Sequence, residues 1–210
     1  MEGGRFAEQA GKQYSRDEMN TRRTFIAIKI KASGNLADFF SMLHDELKHS
    51  SIKWVDVHNL HLTLAFLGDT TEMQVTQVSS ALGRVAELQQ SFDFSVQGFG
   101  YFGGRQAPRV LWLGVRGGDP LKAIHAKLWE ELSALGFIAE ERDFSPHLTL
   151  GRVREFRDQQ RLSQLLGQFK ETAFQDVAVE EIIFYESLLN PEGPIYKPIK
   201  RFSLRQEEHT

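Results

Sequence analysis

A four-residue stretch that occurs twice constrains this chain more than any other feature: His61-Leu62-Thr63-Leu64 returns as His147-Leu148-Thr149-Leu150. Both copies alternate strictly between polar and apolar residues, the period of a half-buried strand. His and Thr then share one face of each strand, and the two Leu share the other. Two such pairs, brought face to face, would supply an acid, a base and two further hydrogen-bonding groups to one small ligand.

The order of elements repeats around the two copies. Thr24, Ile26, Ile28 and Ile30 alternate with Phe25, Ala27 and Lys29, so a strand is expected over Arg23 to Ile30. Leu36, Phe39, Phe40, Leu43 and Leu47 follow with helical spacing after a cap at Ser33 or Asn35. A short segment around Trp54 leads into the first motif strand, Leu60 to Leu67. Thr71 and Gln74 form a capping-box pattern for a helix that buries Val75, Val78, Leu82 and Val85. Phe92, Phe94 and Val96 open a strand that runs to about Phe102.

The turn-rich stretch from Gly103 to Pro108 breaks the chain, and the order begins again. A strand from Val110 to Arg116 is followed by a helix with Asp119 as its cap and Pro120 at its first position. Leu121, Ile124, Leu128, Leu132 and Leu135 form its buried stripe, and Gly136 closes it. Then come the second motif strand, a helix from about Asp158 to Lys170, and strands near Val177 to Ser187 and Ile195 to Leu204. Asn190-Pro191-Glu192-Gly193 joins the last two. Both halves read strand, helix, motif strand, helix, strand, with an additional strand ending the second half, so an internal duplication is expected, with halves of about 22–103 and 108–205. Duplicated halves pack most simply about a pseudo-twofold axis, which makes the motif strands partners across a cleft.

At 210 residues the chain suits a single bilobed domain over 22–205, preceded by a flexible tail over 1–21. No apolar run approaches the about 20 residues of a membrane-spanning helix, and the first residues lack the apolar core of a secretory signal. Without cysteine there is no disulfide framework, thiolate nucleophile or cysteine-based zinc site, which fits a cytoplasmic home. A net charge of −3 with dispersed basic residues disfavours a long nucleic-acid track. A nucleic acid would be held at an end. No membrane contact and no obligate protein partner are expected, so the chain is read as a monomer.

Two imidazoles facing one substrate can act as base and acid in one turnover. Thr63 and Thr149 can stabilise charge that develops on a phosphoryl oxygen. No nearby aspartates offer to hold Mg²⁺ among phosphates, so the constellation reads as metal-free phosphoryl chemistry without a cofactor. His58 with His61 has a His-x-x-His look, but His58 falls in a turn and is expected at the surface. His44, His49 and His209 are expected to be solvated, and His125 partly exposed. Arg152 falls, by simple alternation, on the face opposite His147. Gly151 before it would permit a bulge that redirects it, and a guanidinium suits phosphate. Phe25, Trp54 and Tyr185 are candidates to stack on a base, Phe25 foremost because it lies off the isoleucine face of its strand.

The stretches His61-Leu-Thr-Leu-Ala-Phe-Leu-Gly68 and Pro146-His-Leu-Thr-Leu-Gly-Arg152 resemble the paired His-x-Thr signatures of the 2H phosphoesterases. Among these the likeness is to the RNA 2′,3′-cyclic phosphodiesterases, also termed 2′-5′ RNA ligases. Arg23 to Ile28, Asn59, Pro108 to Trp112 and Phe184 to Ser187 add to it, and it covers roughly Arg22 to Leu204. The resemblance implies an α+β, bilobed fold of two antiparallel-sheet lobes with helices outside and a central cleft. It also implies metal-independent opening of RNA 2′,3′-cyclic phosphate ends, or of nucleoside cyclic phosphates, to 2′-phosphate, with 2′-5′ ligation as the reverse. His61, Thr63, His147 and Thr149 match the catalytic motifs, with His147 assigned as base and His61 as acid. Arg152 and Phe25 stand as substrate-binding candidates. The alternatives are another phosphodiester such as 2′-5′ oligoadenylate, a non-catalytic RNA-end or nucleotide-binding module, and a metal hydrolase built on His58 and His61.

Overall fold

Alternation and helical spacing are realised nearly element for element. The computed structural model describes residues 21–104, 107–139, 143–191 and 193–206. In chain order these form β1 (Thr21–Lys29), α1 (Gly34–Glu46), β2 (Ser51–Trp54), a 3₁₀ turn (Val57–Asn59), β3 (His61–Thr71), α2 (Glu72–Leu88) and β4 (Phe92–Gly104). There follow β5 (Ala107–Arg116), α3 (Asp119–Ala134), β6 (His147–Glu155), α4 (Gln159–Gln168), β7 (Ala173–Val179), β8 (Glu181–Leu188) and β9 (Ile195–Ser203). Of the expected tail, residues 1–20 lie outside the described residues, as do Arg105, Gln106, Glu192 and His209. Thr21 itself opens β1 and pairs with Thr71.

Local signals act where the sequence places them. The Thr71–Gln74 capping box starts α2, each side chain bonding the other residue's backbone N–H. Ser33 occupies the cap position of α1 without a side-chain cap bond. Asp119 is not the cap of α3. Gly118 takes that place, and Asp119 and Pro120 are the first two helical residues. Pro at either of the first two positions removes an N–H that has no helical acceptor, so the helix tolerates the shift.

The nine strands form one antiparallel sheet in the order β7-β4-β5-β6-β3-β1-β8-β9, with β2 also on β6. Read outward from the central β6–β3 pair, β5 answers β1, β4 answers β8 and β7 answers β9. This is the expected pseudo-twofold, but its lobes do not follow the sequence halves. Long antiparallel pairing ties β4, from the first half, to β5 in the second lobe. β8, from the second half, pairs with β1 in the first lobe.

The single strand expected over Val177 to Ser187 is therefore two. β7 ends at Val179 and pairs with β4, whereas β8 begins at Glu181 and pairs with β1. Only Glu180 lies between them, and one residue spans at most about 3.6 Å. The far ends of the strand order must therefore lie close in space, so the sheet is curled.

All four helices contribute to one apolar core. Ile26, Leu62, Leu148, Leu111, Leu113 and Phe184 from the sheet join Leu36, Leu82, Leu121, Leu128 and Leu165 from the helices, all fully buried or within 1 % of it. The interleaving recurs here. Phe39 of α1 packs on Phe174 of β7, with ring centroids 4.3 Å apart, and edge-on to Phe99 of β4. A first-half helix thus covers the second lobe. The opposite face of the sheet carries a small separate cluster of Phe25, Ala27, Ile183 and Tyr185.

Candidate active site

The two motifs meet at the centre of the sheet. β3 and β6 run antiparallel with Leu62 opposite Leu148, and both side chains are buried in the core at 1 % exposure. Stepping one residue either way in this register sets His61 across from Thr149 and Thr63 across from His147. All four then lie on the face away from the core. The structure brings together the residues that alternation singled out.

Each imidazole is held in the same way. His61 Nδ1 lies 2.7 Å from the Asn59 carbonyl oxygen, and His147 Nδ1 lies 2.8 Å from the Ser145 carbonyl oxygen. A carbonyl only accepts, so Nδ1 carries the hydrogen in both rings and Nε2 is left for the ligand. The Thr63 and Thr149 hydroxyls make no hydrogen bond among the described residues, so both remain available as donors. Burial lowers the His61 pKa below its ordinary 6.5, with the Lys29 ammonium adding to the effect and the Asn59 carbonyl opposing it.

Arg152 is on the face that simple alternation denied it. Leu111 pairs with Gly151 but Trp112 pairs with Thr149, so Leu150 is an extra residue in β6. Beyond this bulge Arg152 lies opposite Val110, which shares the face of Trp112, and so it joins Thr149 and His147. The first motif has the same irregularity. Ile26 pairs with Ala65 and Ala27 with Thr63, skipping Leu64. Phe66 thereby occupies the position equivalent to Arg152, with Arg23 4.9 Å above its ring.

Gly151 serves a further purpose, since a Cβ there would fall 2.8 Å from Ile52 and 3.0 Å from Trp54. The Ile52 and Trp54 side chains of β2 would then have to shift. Arg152 makes no ion pair among the described residues, and its charge acts on Tyr196 together with that of Arg23.

Of the three aromatic candidates, Phe25 and Tyr185 present no free face. Phe25 is only 4 % exposed and is enclosed by His61, Tyr185 and Tyr196, with centroids 4.9 to 5.1 Å away. It packs against the His61 ring and limits that ring's movement. Tyr185, 5 % exposed, stacks on Phe25. Trp54 pairs with Gly151 and is stacked on His44 at 4.3 Å, and it lines a hollow of about 1060 Å³ that Arg152 and Tyr196 also border. His44 is thus packed on one side although exposed overall. His58 is exposed in its turn, its N–H bonded to Asp56. His125 stacks on Phe144 at 3.9 Å. Among the described residues no three His, Cys, Asp or Glu side chains come together to hold a metal ion, and no helix is long and apolar enough to cross a membrane.

Several neighbours of the two imidazoles carried no readable signal in the sequence. The Asn59 and Ser145 groups that orient the imidazoles are backbone carbonyls, which any residue supplies. Tyr196 comes from the distant β9 and stands edge-on to His61 at 5.0 Å. His61 opens onto a hollow of about 610 Å³ with Lys29, Asn59, Tyr185, Tyr196 and Arg201 on its walls. His147 borders one of about 430 Å³ with Phe102, Trp112 and Ser145.

A curled antiparallel sheet with outer helices, and a doubled His-Thr pair on its inner face, define a 2H-type phosphoesterase architecture. The LigT-like phosphoesterase family matches residues 28–112 and 114–196, and the chain belongs to it. A protein of Thermotoga maritima named RNA 2′,3′-cyclic phosphodiesterase is 38% identical over 177 residues, covering 83% of this chain and 91% of that protein. One of the same name from Methanothermobacter thermautotrophicus is 33% identical over 184 residues, covering 87% and 98%. Among solved structures, TT0787 of Thermus thermophilus superposes with a TM-score of 0.70 at 26% identity, over 89% of this chain and 100% of that one. Escherichia coli LigT complexed with 3′-AMP gives 0.65 at 28% identity, with the same coverage.

Proposed function

We propose that the chain opens RNA 2′,3′-cyclic phosphate ends to 2′-phosphate without a metal ion, as an RNA 2′,3′-cyclic 3′-phosphodiesterase. One observation carries this reading: the Leu62–Leu148 register collects two His-Thr pairs on one face, with both imidazoles presenting Nε2. The names of the relatives from Thermotoga and Methanothermobacter support the substrate.

In the forward reaction His147 Nε2 takes a proton from water as its oxygen attacks phosphorus. The bond from phosphorus to the 3′-oxygen breaks, and His61 gives its Nε2 proton to that oxygen. The 2′ ester remains, and proton exchange with solvent resets both rings. The hydroxyls of Thr63 and Thr149 stabilise the charge on the equatorial oxygens, and the Arg152 guanidinium binds the phosphate. Run backward, the same roles exchange and a 2′-5′ bond forms.

The test is end-group analysis of oligoribonucleotides ending in a cyclic phosphate, incubated with the purified protein in EDTA. A 2′-phosphate product is expected at an undiminished rate. A 3′-phosphate product, or loss of activity to the chelator, would sink the reading.

Thr63→Val is expected to lower kcat by roughly 10²- to 10³-fold, the effect of removing one preorganised donor. The melting temperature should hardly move, because Thr63 is exposed and valine keeps the branched shape. The pH profile of kcat/KM should be a bell, and one limb should lie on the acid side of 6.5 because His61 is held below that value. The sign for stability follows from the same shift. As the pH falls below 6.5 the unfolded chain takes up the His61 proton before the folded protein does, so stability declines.

A further inference from the structure

The two motif histidines are alike in their tautomers but unlike in the residue that faces each of them across the sheet. His61 pairs with Lys29 of β1, whereas His147 pairs with Gly114 of β5. These positions are equivalent, since β5 answers β1 about the pseudo-twofold. Directly opposed residues of an antiparallel pair project from the same face, so the Lys29 side chain stands beside the His61 ring. Gly114 offers His147 nothing comparable, and a Cβ there would fall 2.8 Å from the Gln97 carbonyl oxygen.

Lys29 is half-buried and borders the same hollow as His61. Its ammonium donates to the His58 carbonyl oxygen, inside the 3₁₀ turn that precedes β3. That turn is fastened from two further sides. Asp56 Oδ1 accepts from the His58 N–H at 2.7 Å, and Asn59 Nδ2 donates to the Pro194 carbonyl oxygen at 3.2 Å. The next carbonyl along the turn, that of Asn59, is the one that holds His61 Nδ1.

A surface lysine ordinarily lays its stem on the protein and keeps its ammonium in water. Here the ammonium is drawn out of water, and that burial lowers the Lys29 pKa from its ordinary 10.5 while the Asp56 carboxylate opposes the shift. The long side chain also gives up rotamer freedom. Both costs are met at the turn that orients a motif imidazole.

We propose that Lys29 is a positioning residue for His61: its ammonium holds the 57–59 turn so that the Asn59 carbonyl keeps the imidazole aimed at the substrate. His147 does without this restraint, so the two histidines of a duplicated motif are set by different means.

The Lys29 charge also bears on the His61 ring and lowers its pKa, so removing the charge should raise it. The other charged groups on the hollow are Lys31, Asp176, Glu180, Glu181 and Arg201, of which the last two pair with each other. His58, Tyr185 and Tyr196 complete its titratable groups, and Arg152 of β6 borders the neighbouring hollow.

Lys29→Met removes the donor and the charge while keeping an unbranched side chain. It should lower kcat by about tenfold to a hundredfold, on the scale of a catalytic group displaced by about 1 Å, with KM little changed. Lys29→Arg, which keeps donor and charge, should restore most of the loss. In the His61→Ala background Lys29→Met should cost little more, because the ring through which it acts is gone. An equal loss in both backgrounds would overturn the proposal. So would a raised KM with kcat kept, which would show that the ammonium binds substrate instead.

Nitrogen-15 NMR of the His61 ring should show one Nδ1–H tautomer in the parent and a mixture in Lys29→Met, with a higher pKa in the variant. A merely structural lysine would lower the melting temperature and move neither. If Lys29→Met does not fold, Lys29→Gln, which loses the charge, should raise the same pKa. The kinetic arms rest on the proposed reaction, but the ring titration needs no turnover. An unchanged tautomer and pKa would sink the proposal even in a chain that opens no cyclic phosphate.

Discussion

His61→Ala and His147→Ala should each lower kcat for a nucleoside 2′,3′-cyclic phosphate by roughly 10²- to 10⁴-fold, the contribution of one positioned proton-transfer group. Thermal melting should be little changed for His147→Ala and should fall somewhat more for His61→Ala, whose ring packs against Phe25 and Tyr196, so the loss is assigned to chemistry on the folded fraction read by circular dichroism. The double variant should fall little below the singles, since residues that act as a unit do not contribute additively. The roles are separable by substrate. With sulfur in place of the 3′-oxygen the departing thiolate needs no proton, so a 2′-O,3′-S cyclic phosphorothiolate should restore His61→Ala and leave His147→Ala impaired. Rescue of the His147 variant instead would exchange the two assignments. Full activity in both alanine variants would end the mechanism.

Phe184→Ala should cost about 3–5 kcal/mol, the usual effect of emptying a fully buried phenylalanine site. Phe184 is 0% exposed in β8 and packs in the main core. For a domain of this size that corresponds to a fall of roughly 6–20 °C in melting temperature, read by circular dichroism or calorimetry. Met73→Ala, at a residue 68% exposed, should stay within about 0.5 kcal/mol of the parent. A loss below about 1 kcal/mol at Phe184 would mean that β8 does not close the first lobe's core as its pairing with β1 indicates.

The sequence was legible where the cause is local. Alternation at His61–Leu64 and His147–Leu150 placed both motif strands and assigned their faces. Helical spacing found the buried residues Leu36, Phe39, Phe40 and Leu43 of α1, and Leu121, Ile124, Leu128 and Leu132 of α3. Thr71 and Gln74 marked the start of α2 because the capping box is complete within four residues.

It was not legible where the cause is a partner far away in the chain. The break at Glu180 arises because β7 and β8 have different neighbours, β4 and β1, which no property of residues 177–187 announces. The same holds for Phe25. It lies off the isoleucine face as alternation requires, yet Tyr185 and Tyr196 close over it and leave no room for a base.

The repeated His-x-Thr pair, the order of elements around it and the chemistry of two imidazoles with two hydroxyls were determined by the sequence by itself, since side-chain type and period are properties of single strands. Only the tertiary structure decided that β4 and β8 exchange lobes, because strand partnership depends on which edges meet. Only it decided that Arg152 joins the cleft, because the extra residue at Leu150 is defined by pairing with β5 and inverts every face beyond it. The tautomers of His61 and His147 were settled in the same way, by carbonyl oxygens whose positions depend on the fold and not on the residues that bear them.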